Sequence, residues 1–96
     1  MSDSEPPMTE CDVVICNKLG MHARAATRFV TAASRFKADI RVEKDGRDVS
    51  GKSIMGLMML AASKGTRLHI RAEGEDAREA VEQLCRLVKN RFDEGE

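Results

Sequence analysis

Three observations predict an α+β fold of order βαββαβα, with three helices on one face of a single four-stranded sheet. The chain has 96 residues, enough for one modest hydrophobic core and no separate substrate-binding domain. Several short stretches alternate apolar and polar residues, as strands with one wet face do. Two longer stretches carry a single apolar stripe at helical spacing, so each helix has one face to bury.

The elements follow in order. Residues 1–8 are polar and contain Pro6-Pro7, which reads as a disordered lead-in to a domain spanning 9–92. Cys11, Val13 and Ile15 alternate with Asp12, Val14 and Cys16 as a first strand. Asn17 to Met21 is a loop; behind it Ala26, Phe29, Val30 and Ala33 fall at i, i+3, i+4 and i+7, a helix ending near Phe36. Ala38, Ile40 and Val42 alternate with charged residues, and Asp45-Gly46 then signals a hairpin, because a type I′ turn needs positive φ at both central residues. Arg47 to Ser50 is the return strand. Ser53 caps a short helix through Ile54 to Leu60 that stops around Lys64-Gly65. Leu68, Ile70 and Ala72 mark the fourth strand. Asp76-Ala77-Arg78-Glu79 is a capping-box pattern opening a helix striped by Ala77, Val81, Leu84 and Val88. Residues 93–96 are expected to fray.

Composition narrows the function. Sixteen basic residues balance sixteen acidic ones, and there are three Phe but no Tyr or Trp. Neither an electrostatic footprint nor a stacking platform for nucleic acid is present. No apolar run reaches the ~20 residues of a membrane span. The N-terminus lacks the basic and apolar regions of a signal peptide, so a cytoplasmic location is expected. Cys11, Cys16 and Cys85 are odd in number and lack a C-x-x-C pair, which argues against a disulfide framework or zinc site.

The chemistry concentrates in Asn17-Lys18-Leu19-Gly20-Met21-His22-Ala23-Arg24, where a glycine-containing loop turns into a helix at a histidine. A helix N-terminus gathers free N–H groups and positive dipole ends, so an anion attached to His22 is held there. Neutral imidazole offers one nitrogen lone pair as a nucleophile. Arg24 in the first turn opposes the dipole by roughly 0.3–1 kcal/mol unless an anion visits it. His69 alternates outward with Arg67 and Arg71 and reads as a surface residue. Two histidines without carboxylates or thiolates at ligand spacing make no metal site, and no nucleophile elbow or base-orienting carboxylate stands near His22 in sequence.

Gly46-Arg47-Asp48-Val49-Ser50-Gly51-Lys52-Ser53 matches the P-loop pattern letter for letter. Its context is wrong: the preceding strand is half exposed and Asp45-Gly46 calls for a hairpin, whereas a P-loop follows a buried parallel strand. Ser53 stands as an N-cap; phosphorylated, it would add roughly −1.5 to −2 charge beside a helix N-terminus. Ile54, Met55 and Met58 offer an adaptable apolar docking patch if the core leaves them uncovered.

Leu19-Gly20-Met21-His22-Ala23-Arg24, taken with Gly51-Lys52-Ser53-Ile54-Met55-Gly56-Leu57-Met58-Met59-Leu60 and Ala62-Ser63-Lys64-Gly65, resembles the HPr family of histidine-containing phosphocarriers of the bacterial phosphoenolpyruvate-dependent phosphotransferase system. The resemblance runs from about Cys11 to Phe92. It implies an open-faced βαββαβα sandwich with an antiparallel sheet, and a monomeric carrier without cofactor. It implies that His22 accepts a phosphoryl group on Nδ1 from phosphorylated enzyme I and passes it to an enzyme IIA domain, with Arg24 as charge partner. Ser53 is then the regulatory serine of HPr kinase/phosphorylase, and Ala23, Thr27, Ile54, Met55 and Met58 meet partners. The family most often reads His-Ala-Arg-Pro-Ala, whereas Ala25 stands at the proline position, leaving an N–H that proline lacks. The rival readings are a P-loop-like nucleotide binder and a phosphorylation-independent interaction module.

Overall fold

The computed structural model describes residues 7–94. Its elements are β1 (Met8–Val14), α1 (Ala23–Ala33), β2 (Asp39–Lys44), β3 (Arg47–Ser50), α2 (Ile54–Met59), β4 (Arg67–Glu73) and α3 (Ala77–Lys89), followed by a 3-10 turn at Arg91–Asp93. The strands form one antiparallel sheet in the order β1-β4-β2-β3. Alternation dictates its two faces. Val13, Ile40, Val42, Leu68, Ile70 and Ala72 turn inward, where they are buried with Phe29, Leu57, Leu84, Val88 and Phe92 of the helical layer. The opposite face is charged: Arg71 bonds Asp48 at 2.7 Å, and Arg41 reaches the same carboxylate at 2.9 Å.

Several boundaries differ from the sequence reading. β1 starts at Met8, before the alternation from Cys11, because it pairs along its whole length with β4 as far as Glu73. The Pro7 carbonyl accepts from the Gly74 N–H at 2.8 Å; the rest of the expected disordered lead-in lies outside the described residues. α1 closes at Ala33, where tightened i→i−3 bonds from Arg35 and Phe36 end it. α2 stops at Met59, well short of Gly65. Ala61 has φ +52, and basic side chains from the hairpin occupy the last carbonyls: Lys44 Nζ on Leu60 at 3.0 Å and Arg47 Nη1 on Met59 at 3.0 Å. Those cations sit at the negative end of the helix dipole. The hairpin itself is as expected, with φ +51 at Asp45 and +83 at Gly46.

Asp76 occupies the N-cap position of α3 but makes no side-chain cap bond. Its carboxylate instead accepts from the Lys37 and Ala38 amides, each at 2.9 Å, tying the entry of α3 to that of β2. The cysteines, read against a disulfide framework, show one contact that their spacing did not suggest. Cys11 on β1 and Cys85 on α3 bring their sulfurs together with Cα atoms 7.4 Å apart, wider than the roughly 4.4–6.8 Å that a disulfide usually spans, while Cys16 has no such neighbour. Spacing cannot reveal such a pair, since 74 residues separate the two positions and only the packing of α3 on β1 joins them.

Candidate functional site

His22 caps α1 with its own ring. Its backbone is extended, with φ −78 and ψ 178, its carbonyl accepts from the Ala26 N–H, and Nδ1 accepts from the Arg24 N–H at 3.3 Å. The loop before it is held from below. Gly20 has φ +66, and a Cβ there would meet the Ala62 carbonyl oxygen at 2.4 Å, so only glycine fits. The next residue, Met21, is buried and donates its N–H to that same carbonyl at 2.9 Å. The histidine is therefore pinned to the chain that leaves α2.

The other ring nitrogen has a partner that spacing along the sequence could not show. Nε2 lies 2.6 Å from Glu94 Oε2, with the side chains 24% and 11% exposed, so the carboxylate is sheltered while the imidazole stays accessible. Asn17 braces the pair: fully buried, its Nδ2 donates to the Gly20 carbonyl at 2.9 Å and to Glu94 Oε1 at 3.1 Å. With Nδ1 accepting and Nε2–H donating to the carboxylate, one tautomer is favoured, and an electrophile reaches the Nδ1 lone pair by displacing only the long 3.3 Å bond from the Arg24 N–H. The carboxylate absent from the sequence neighbourhood of His22 is thus supplied by a spatial neighbour. The contact joins residues 72 apart.

Glu94 is delivered by the chain end expected to fray. Arg91, Phe92 and Asp93 all have positive φ, a conformation costing L-residues roughly 1–2 kcal/mol apiece. Burial of Phe92 returns about 1.5–3 kcal/mol. The Arg28 guanidinium donates to the Phe92 carbonyl, and the Asp93 and Glu94 amides close on the Asn90 and Arg91 carbonyls at 2.9 Å. The opposing terms are similar in size, so the turn is held but not deeply stabilised. Gly95 and Glu96 lie outside the described residues.

The remaining residues singled out in the sequence fall as follows. Arg24 is exposed at the first turn of α1, as are Ala23 and Thr27, whose hydroxyl donates to the Ala23 carbonyl at 2.9 Å. Ser53 caps α2, its Oγ accepting from the Gly56 N–H at 3.0 Å. Ile54 is 40% exposed, Met55 71% and Met58 41%, while Leu57 takes the core position of the helix. Met59 and Leu19 add exposed apolar surface that the sequence reading did not single out. α2 packs on α1, so the helix that carries this patch lies beside the one that begins at His22.

The P-loop reading fails on geometry. Gly46 sits in an antiparallel hairpin, Lys52 Nζ is spent on the Phe36 carbonyl at 2.7 Å, and the following helix has six residues. His69 is also more engaged than a solvated residue: it bridges Asp12 at 2.9 Å and Glu10 at 2.7 Å on the open sheet face. Its ionisation is raised above the usual 6.5 first by the Asp12 hydrogen bond; burial opposes this, and the Glu10 hydrogen bond with the charges of both carboxylates restores the upward direction. No group of three or more potential metal ligands occurs among the described residues.

Comparison with known proteins agrees with this architecture. Residues 9–90 match the family model described as the PTS HPr component phosphorylation site. The phosphocarrier protein HPr of Pseudomonas aeruginosa is 52% identical over 90 residues, covering 93% of this chain and all of that protein. The phosphocarrier protein NPr of Shewanella violacea is 42% identical over 85 residues, covering 88% of this chain and 93% of that one. The crystal structure of HPr-C-His from Thermoanaerobacter tengcongensis superposes with a TM-score of 0.86 at 45% identity, over 90% of this chain and 97% of that chain. Sequence and fold therefore agree across nearly the whole domain, and the chain belongs to the HPr family of phosphocarrier proteins of the phosphotransferase system.

Proposed function

We propose that His22 is the phosphoryl acceptor, taking the group on Nδ1 from phosphorylated enzyme I and handing it to an enzyme IIA domain. The observation that carries this reading is the ring's asymmetric bonding: the Nδ1 lone pair is held only by a long 3.3 Å bond from the Arg24 N–H, which an incoming phosphoryl group displaces, and Nε2 donates to Glu94. The lone pair attacks phosphorus as the donor's bond to phosphorus breaks, and the reverse sequence delivers the group to the acceptor. Glu94 balances the positive charge that the ring gains on forming the N–P bond. Amides of the first turn and the Arg24 guanidinium then receive the phosphoryl oxygens. Ala25, in the place of the family's usual proline, retains one more N–H on that turn.

Enzyme I and enzyme IIA dock in turn on one surface, formed by Ala23 and Thr27 of α1 with Ile54, Met55 and Met58 of α2. The protein acts as a monomer in a cytoplasmic relay serving sugar uptake or a nitrogen-linked branch. Incubation with phosphoenolpyruvate and enzyme I, followed by intact-mass measurement, should give one acid-labile phosphoryl group that His22→Ala loses. No mass gain with an active cognate enzyme I would exclude the carrier role.

Ser53 is a regulatory site for HPr kinase/phosphorylase where that enzyme exists. A phosphate there reinforces α2 from its N-terminus but sets a hydrated dianion beside Ile54, Met55 and Met58. Phosphoserine protein should bind enzyme I more weakly than unmodified protein, with an equal or higher thermal midpoint. Equal affinity of the two forms would remove the switch.

A further inference from the structure

Between α1 and α3 runs an open groove of about 560 Å³, walled by Arg28, Arg35, Gln83, Arg86, Asn90 and Asp93. Helical spacing puts them there: 28 and 35 are two turns apart along α1 and its closing turn, and 83, 86 and 90 follow one side of α3. Ala32 and Leu87 supply its apolar part. The charge in this groove is treated unlike that on the sheet. Arg41 and Arg71 are both paired with Asp48 on the open sheet face. Arg35 and Arg86, by contrast, make no ion pair or guanidinium hydrogen bond among the described residues. The one carboxylate in the groove, on Asp93, already accepts from Asn90 Nδ2. In a chain of zero formal net charge, converging arginines without a carboxylate partner leave a local positive field that a compact anion complements.

We propose that this groove binds a small phosphorylated anion of two or more negative charges, and that its binding is felt at His22. The volume falls within the roughly 300–1,000 Å³ of small-molecule sites. The link is the turn at Arg91–Asp93. Arg28 donates to the Phe92 carbonyl, Asp93 lines the groove, and the next residue, Glu94, holds His22 Nε2. An anion that recruits Arg28 competes with the bond securing a turn whose three residues all have positive φ. The contact between Glu94 and His22 loosens as a result. Binding is independent of the phosphocarrier reading; the effect on phosphoryl transfer rests on it.

The test uses the full chain and pyrophosphate as probe, followed by ¹⁵N NMR against sodium chloride at matched ionic strength. Saturable shifts are expected at the Nε–H groups of Arg28, Arg35 and Arg86 and at Asn90, with the His22 ring signals moving at the same midpoint. The double variant Arg35→Gln/Arg86→Gln, altered only at exposed positions, should bind at least about tenfold more weakly. Shifts reproduced by chloride, shifts confined to Arg24 and the first turn of α1, or unchanged affinity in the double variant would each overturn the site. Phosphorylation by enzyme I should change with pyrophosphate in the native chain and much less in the double variant. A filled groove with His22 signals and transfer rate unmoved would overturn the coupling. A chain that binds pyrophosphate here but takes up no phosphoryl group would refute the carrier reading and leave the site standing.

Discussion

The two histidines are both within hydrogen-bond reach of carboxylates, yet their surroundings prepare them for opposite chemistry. His69 has a carboxylate on each ring nitrogen, Asp12 on Nδ1 and Glu10 on Nε2, which favours the imidazolium and leaves no lone pair for attack. His22 has a carboxylate on Nε2 alone, and its Nδ1 is an acceptor facing a helix N-terminus. The difference shows that a histidine's role here is set by which atoms meet which nitrogen. Proximity of acidic residues does not by itself make a nucleophile.

Exchanging each histidine in turn breaks the comparison most severely. His22→Gln should abolish phosphoryl uptake from enzyme I, and His69→Gln should retain it at close to the native rate; loss of uptake in both would mean the two sites are not separable. Next in size is Glu94. Replacing it by glutamine keeps a hydrogen-bond acceptor near Nε2 but removes the charge, and should slow uptake roughly tenfold with little change in urea midpoint. An unaltered rate would reduce the contact to a structural one.

Arg24→Ala should slow transfer several-fold while stability moves by less than about 0.5 kcal/mol, or rises slightly, since a cation is removed from the positive end of α1. A loss above ~2 kcal/mol with normal transfer would instead make Arg24 structural. The smallest effect belongs to His69. Its folded-state ionisation is raised, so its contribution to stability is complete below its usual value of 6.5 and disappears as pH rises through the higher folded value. Urea midpoints should therefore fall from about pH 6 to pH 9 by more in the native chain than in His69→Gln. With all three side chains solvent-accessible, the difference should stay within about 1 kcal/mol. Parallel pH profiles for the two proteins would show that the paired carboxylates add nothing to folding.

Local signals were legible because they depend on neighbours within a turn or a strand. Alternation along Ile40-Arg41-Val42-Glu43 and Leu68-His69-Ile70-Arg71 fixed which face of the sheet is wet. Ser53 and Asp45-Gly46 were readable because a cap and a tight turn make stereochemical demands on one or two residues. Local spacing also placed His22 at the start of α1 and predicted Ile54, Met55 and Met58 as surface if the core left them uncovered.

What escaped the sequence joins distant segments. Asp76 had the pattern of a capping box, yet its carboxylate serves amides 38 and 39 residues away. Cys11 and Cys85 meet only because α3 lies on β1. Asn17 and Glu94, 77 residues apart, become the support of His22 only after the turn at Arg91–Asp93 brings the chain end back. The sequence by itself determined the elements, the two faces of the sheet and the place of His22 at the start of α1, because side-chain periodicity and helix ends are short-range physics. Only the tertiary structure decided which carboxylate meets the His22 ring and that Arg35 and Arg86 lack an ion-pair partner among the described residues, because directional hydrogen bonds and ion pairs depend on distances that the packing of the helices against the sheet sets.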